Sequence, residues 1–304
     1  MSKTTFPTLG RSTNMTALGR SKNMTALGRR ATLKSLALAG AALAVLMAVT
    51  PSAKADTLAD VKAAGVLKTG TEMQFPPFDM IEGGEYIGLN RDLIDEVGKE
   101  MGLKVEYQDL PWTSVLPGLE AGKFDLVIAP VTITKERMER YGFTVPIANA
   151  TAALMKRTGD DSIMKPEDIV GKTVGGGKGT SQLAQVKEYA ETLGGDVSFN
   201  EYVDSNQSYA DLAAGRVDAS VNSLPNLSYA ASQRPETFTV VLPPFGKPTY
   251  FSWVTRKGEG DESLREAVNA ALVAISADGR MAKIQEKWLG QSIDLPSEVP
   301  APSF

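Results

Sequence analysis

The chain has 304 residues, 42% hydrophobic and 22% charged, enough for one large or two small domains and too apolar for disorder throughout. It contains no Cys and no His, which excludes disulfides, thiol chemistry, Ser-His and Cys-His nucleophile pairs, and imidazole as a base or metal ligand. The net charge of −4 hides an asymmetry: residues 1–55 carry eight Lys/Arg and no acid, leaving 24 bases against 36 acids in the other 249 residues, a net of −12. A body that acidic repels a phosphate backbone, so no nucleic-acid partner is expected.

Arg29-Arg30-Ala31-Thr32-Leu33-Lys34 precedes an apolar run from Leu36 to Val49, and Pro51-Ser52-Ala53-Lys54-Ala55 follows. A basic flank, a short apolar stretch and an A-x-A site make an export signal, cleaved near Ala55. The run is about 14 residues, short of the roughly 20 that span a bilayer. The paired arginines resemble a twin-arginine signal, and an ordinary secretory signal fits the same residues. Upstream, Asn14-Met15-Thr16-Ala17-Leu18-Gly19-Arg20 recurs as Asn23-Met24-Thr25-Ala26-Leu27-Gly28-Arg29. Two copies build no repeat architecture, and translation starting at Met15 or Met24 accounts for them. Residues 1–55 are therefore expected to be an extension and signal, with a mature chain beginning at Asp56 in the periplasm.

The body alternates strands and helices. Val66–Gly70 reads as a first strand. Leu93, Ile94, Val97 and Met101 share one face of a helix. Val105–Tyr107 alternates like a strand, Val115, Leu116 and Leu119 mark a helix ending at Ala121-Gly122, and Asp125–Ala129 is a buried strand. A second series follows: a strand at 172–175, a helix starting at Thr180 or Ser181 with a hydroxyl cap, a helix over 206–214 closed by Gly215, and a strand over 218–222. Helices over 262–277 and 280–289 precede a Pro-rich tail. This order predicts parallel α/β layers, and two such units in one chain imply a ligand cleft between lobes.

Several segments carry a more specific likeness. They are Thr71-Glu72-Met73-Gln74-Phe75-Pro76-Pro77-Phe78, Gly88-Leu89-Asn90-Arg91-Asp92-Leu93, Pro111–Leu119, Gly122-Lys123-Phe124-Asp125-Leu126-Val127 and Thr132-Ile133-Thr134-Lys135-Glu136-Arg137. Gly215-Arg216-Val217-Asp218-Ala219 and Ile284–Gly290 continue the series. In this order they resemble the family 3 solute-binding proteins, the polar-amino-acid receptors of ABC importers. The resemblance implies an α/β, two-lobe, type II periplasmic-binding-protein-like fold with two crossings between lobes. Lobe 1 would take residues 56–152 plus 248–304, and lobe 2 residues 153–247. It further implies capture of a small carboxylate-bearing solute, a polar amino acid or derivative, by hinge closure, and delivery to a membrane ABC permease. A monomer without cofactor, metal or catalytic residue is expected.

The resemblance assigns Arg137 to the ligand carboxylate, a role its planar two-bond fork suits, whereas Glu136 or Glu139 would engage it in a plain surface ion pair. It gives Thr132 a supporting hydroxyl and turns the Pro130 carbonyl toward a ligand amine. Phe75 and Trp112 would be ring walls, and Glu72 matches the acid that meets a distal cation in receptors for basic amino acids. Thr180 and Ser181 match carboxylate-contacting positions at a helix N-terminus, where free backbone N–H groups also favour an anion. The glycines at 175–179 invite a phosphate-loop reading that fails, because Thr180 stands where G-x-G-x-x-G needs glycine and position 166, where a Walker loop needs it, is proline.

One departure stands out. Where amino-acid receptors place an Asp for the α-ammonium, this chain has Ser223, or Asn222 if the alignment slips by one. Neither supplies charge, so the ligand amine would be absent, substituted or met elsewhere, for example by Glu72. Asp218 lies earlier and reads as a structural turn residue. The alternative function is an enzyme on the same fold, similar to cyclohexadienyl dehydratases, with Glu72 as its one placeable pocket acid.

Overall fold

The structure is a computed structural model and describes residues 56–304. The signal, the duplication and the cleavage site expected before Asp56 lie outside the described residues. Helix α1 (Thr57–Ala64) leads into β1 (Val66–Thr71). A hairpin sheet of β2 (Gln74–Phe75), β3 (Asp79–Glu82) and β4 (Glu85–Ile87) comes next. Then follow α2 (Leu89–Met101), β5 (Lys104–Asp109), α3 (Trp112–Glu120), β6 (Leu126–Thr132), α4 (Lys135–Arg140), β7 (Tyr141–Phe143) and β8 (Ala148–Asn149).

The chain then leaves for a second sheet. It forms β9 (Ala152–Arg157), β10 (Thr173–Gly177), α5 (Ser181–Thr192), β11 (Ser198–Tyr202), α6 (Ser205–Ala213), β12 (Ala219–Ser223), α7 (Leu224–Gln233) and β13 (Phe238–Val241). It returns as β14 (Tyr250–Arg256), α8 (Glu259–Ala277) and α9 (Arg280–Leu289).

The first sheet has the order β5-β1-β6-β14-β7, with β8 also on β14; the second has β11-β10-β12-β9-β13. In each, the βαβ crossovers place three strands in parallel, as expected. The sheets are nevertheless mixed. Strand β14 runs antiparallel to β6 and β7, and β9 runs antiparallel to β12 and β13. These are the strands on which the chain has just crossed between sheets, so each enters from the opposite end. Residues 150–151 and 242–249 are the two crossings, and the sheets with their helices form two lobes.

Each sheet is covered on both faces. One core of the first sheet holds Trp253, Phe78, Leu93, Ile94 and Leu272, and the other holds Phe124, Val115 and Val127, all essentially inaccessible to water. This is why β6 is buried along its whole length rather than alternating. The glycine run of β10 is a packing device: a Cβ at Gly175 would stand 2.4 Å from the Ser208 hydroxyl, and one at Gly176 2.7 Å from Val221. It lets α5 and α6 approach the sheet closely.

The hairpin sheet is pinned by a buried polar chain. Tyr86 donates to Asp79 at 2.5 Å, Asn90 donates to the other Asp79 oxygen at 2.6 Å, and Trp253 Nε1 donates to Asn90 at 3.1 Å. Burial pushes the Asp79 carboxyl up to about 7 against the lowering effect of these donors. The network ties β3, α2 and β14 together directly behind Phe75.

Candidate functional site

Between the lobes lies a cleft. Eight of the nine residues expected at the site line it: Glu72, Phe75, Trp112, Pro130, Thr132, Arg137, Thr180 and Ser181. Ser223 does not.

Thr134 caps α4, its hydroxyl accepting from Arg137 N at 3.2 Å, and this turn aims Arg137 back into the cleft. The guanidinium donates to the carbonyls of Thr132 and Gly179, both at 3.3 Å, and its carbon sits 5.2 Å from the Trp112 ring centroid. Among the described residues it makes no ion pair, with Glu136 and Glu139 or any other acid. Desolvation dominates its electrostatics and pulls it down to about 10, against the weaker opposing field of Glu136. A half-buried, desolvated cation whose partners are neutral carbonyls is under-compensated, and an anion entering the cleft would supply the missing charge.

Opposite it, Thr180 caps α5, accepting from Leu183 N at 3.2 Å and donating to the Gly177 carbonyl at 2.8 Å. Ser181 reaches across the cleft and donates to the Thr132 hydroxyl at 2.7 Å, while Gln182 Nε2 stands 3.3 Å from the same oxygen. Trp112 Nε1 also crosses, donating to the Gly179 carbonyl at 3.2 Å. The N-terminal turn of α5 therefore faces the Arg137 guanidinium across the lobe boundary.

Phe75 packs on Phe78 with near-parallel rings 6.2 Å apart, and Phe251 meets it edge-on at 6.2 Å. Phe251 lines the cleft as well. Glu72 is pushed up to about 8, first by burial and then by the neighbouring carboxylates of Asp204 and Asp79; the Trp112 backbone N–H pulls the other way, and Asp109 adds a smaller push upward. A carboxyl held against other acids in a cleft is one that a cation would ionise.

Ser223 is fully buried at the end of β12, where it caps α7 and its hydroxyl is paired with the Asn226 side chain. Asn222 accepts from Ser223 N and donates to the Tyr209 hydroxyl at 2.9 Å. Asp218 binds the Thr173 N–H at 2.8 Å, a backbone-bracing role. Lining residues not expected from the sequence include Phe251, Gln182, Lys178 and Ser205. Gln182 follows Ser181 in the first turn of α5, a position the capping pattern points to; the aromatic run Tyr250-Phe251-Ser252-Trp253 signals a buried strand, though not that its ring reaches a cleft.

The profile of the bacterial extracellular solute-binding proteins, family 3, matches residues 67–291. The chain belongs to this family. The L-cystine-binding protein TcyJ of Escherichia coli is 31% identical over 83% of this chain and 93% of its own length. Among solved structures, an ancestral arginine-binding protein bound to arginine is 34% identical with a TM-score of 0.69, covering 74% of this chain and 99% of that one. An ancestral amino acid-binding protein, a precursor of cyclohexadienyl dehydratase, is 28% identical with a TM-score of 0.70, over 77% and 100%. The family 3 protein described here thus has the two-lobe type II fold of extracellular solute receptors, with the cleft at the boundary its two crossings hinge.

Proposed function

We propose that the chain is the periplasmic receptor of an amino-acid ABC importer, that its ligand is a free amino acid with a basic side chain, and that the membrane permease receives the ligand from the closed monomer. Residues 56–152 plus 248–304 form one lobe in this reading and 153–247 the other, except that Ala152 opens β9 and goes with the second; export and cleavage fall near Ala55. The observation that carries it is the Arg137 guanidinium, desolvated in the cleft and bonded to carbonyls alone. It takes the ligand carboxylate in a two-bond fork, with Thr132, Ser181 and the free N–H groups of the first α5 turn around the same oxygens. The Pro130 carbonyl accepts from the α-ammonium. The side chain lies between Phe75 and Trp112 and ends at Glu72, whose acidic neighbourhood favours a cation. The arginine-bound ancestral relative and the cystine-binding TcyJ support an amino acid as ligand. Closure is a population shift, driven by the ligand's preference for the state in which both lobes touch it.

The test is a thermal-shift and calorimetric panel on the chain from Asp56, with amino acids, betaines, N-substituted cyclic amino acids and prephenate. Stabilisation grows as RT ln(1 + [L]/Kd), so millimolar ligand exposes micromolar binding. Arginine or lysine is expected to stabilise most. Hits confined to amine-masked carboxylates would overturn the basic-side-chain reading, and turnover of prephenate would move the chain to the dehydratases.

A further inference from the structure

The position where the family's receptors are expected to hold an acid for the ligand amine feeds a different structure here. Ser223 and Asn226 are both at or below 2% exposure. The Ser223 hydroxyl is paired with Asn226 Oδ1 and also faces the Asn226 backbone N–H at 3.4 Å, which fixes the amide. The other end of that amide leaves the lobe: Asn226 Nδ2 donates to the Pro76 carbonyl at 2.6 Å. Nearby, Asn206 Nδ2 donates to the Gln74 carbonyl at 3.1 Å, and Asp204 accepts from Asn206 N at 2.7 Å. Neither asparagine lines the cleft, and the two carbonyls they take flank Phe75, which does.

We propose that Asn226 and Asn206 form a closure latch. Ser223 orients the Asn226 amide and Asp204 caps the helix turn that carries Asn206; from lobe 2 the two amides clamp the Gln74 and Pro76 carbonyls of lobe 1 and hold Phe75 against the cleft. Both bonds run from lobe 2 to lobe 1 backbone, so neither survives separation of the lobes. When the lobes part, water satisfies the freed groups; when they meet, the bonds favour the closed state without touching ligand. Apparent affinity scales with the closed fraction, so the latch sets affinity for every ligand alike. The inference rests on the two-lobe closing reading and not on the identity of the ligand.

The chain lacks cysteine, so paired thiol labels report one distance only. Spin labels at Glu85→Cys and Ala210→Cys, exposed residues of β4 in one lobe and α6 in the other, give the lobe separation by pulsed dipolar spectroscopy. Asn226→Ala is expected to deplete the short-distance population in the ligand-free chain. With L-arginine as probe it should raise the dissociation rate about tenfold and leave association near wild type, the loss expected for one buried hydrogen bond. Asn206→Ala, at an exposed bond and with little folding risk, should shift both readouts the same way by about twofold. Ser223→Thr, which keeps the hydroxyl, should retain the latch. Ser223→Asp keeps a cap but has no donor for Asn226 Oδ1, and should open the lobes. Wild-type distance distributions in both Asn variants overturn the latch, as does tighter arginine binding in Ser223→Asp, the result expected of an ammonium acceptor. The distance arm needs no ligand, so a chain that ignores arginine defeats the ligand reading and leaves the latch decided.

Discussion

The cleft wall built on the first sheet carries the rings and most of the formal charge, Phe75, Trp112, Phe251, Glu72 and Arg137; the facing wall on the second offers glycine, hydroxyls and an amide, with Lys178 as its charged member. The first wall is braced from behind, by the Phe75–Phe78–Phe251 cluster and by the Tyr86–Asp79–Asn90–Trp253 chain. The second wall's hydroxyls are bonded to a cap, to Gly177 and across to Thr132. In the proposed reading the difference is a division of labour: the first wall reads the ligand's side chain, and the second helps hold its carboxylate and converts binding into closure. Losses on the first wall should therefore depend on ligand chemistry, and losses on the second should fall on dissociation whatever the ligand.

Arg137→Ala should break the first wall most severely, weakening amino-acid binding about a hundredfold or more, since a desolvated charge-assisted fork has no substitute. The ligand-free chain should melt close to wild type, because losing the two carbonyl bonds is offset by removing an under-compensated, desolvated cation. Calorimetry paired with thermal melts measures both, and undiminished affinity would remove the carboxylate role from Arg137.

Glu72→Gln sharpens the comparison through pH. The folded carboxyl titrates near 8 and the ligand cation needs it ionised, so wild-type affinity for arginine should rise as pH climbs through that value. The Gln variant should lack this rise and bind roughly tenfold more weakly at high pH. Stability runs the other way. A carboxyl raised above its unfolded value contributes fully below about pH 4.5 and loses that contribution as pH rises to 8, so the melting advantage of Glu72→Gln should grow across that window and then level off. A pH-independent difference would remove Glu72 from the cleft's electrostatics.

Ser181→Ala tests the second wall with a smaller expected effect, about fivefold, from one hydrogen bond across the lobes. Stopped-flow measurement should place the change in dissociation and make it equal for arginine and lysine. Unequal losses would mean that the second wall also reads side chains.

Much of this organisation was legible before any coordinates. Periodicity located β1, β5, β6, β10 and β12 and the longer helices, because one-faced burial leaves a pattern in the residues. Helix α2 begins earlier than its apolar face suggests, at Leu89, because Gly88 adopts a φ of 136° that closes the preceding turn. Strand β14 left no alternation to read, being buried on both faces from Phe251 to Thr255. Helix α4 has only six residues, and α7 opens on Leu224-Pro225, which looks like a break and is a proline in the first turn. At the site, Thr132 and Arg137 stand in one contiguous motif, and their companions at separate positions that resemble the family's. Phe251 was not, because its place in the cleft depends on a pairing with Thr132 formed by a strand far downstream. Ser223 looked like a gap in a ligand shell, and its hydroxyl is engaged by a side chain three residues on.

That β6–β14 pairing also has a cost in time. The second sheet is made from strands synthesised in one uninterrupted stretch, β9 to β13, whereas β6 must wait for β14 until that whole stretch has been made. At roughly 5–20 residues per second, a ribosome leaves the fully apolar-facing strand Leu126–Thr132 without its neighbour for several seconds or more. An open edge of that kind invites pairing with another nascent chain. Shielding of β6 therefore matters until the last fifth of the polypeptide, which begins with β14, arrives to cover it.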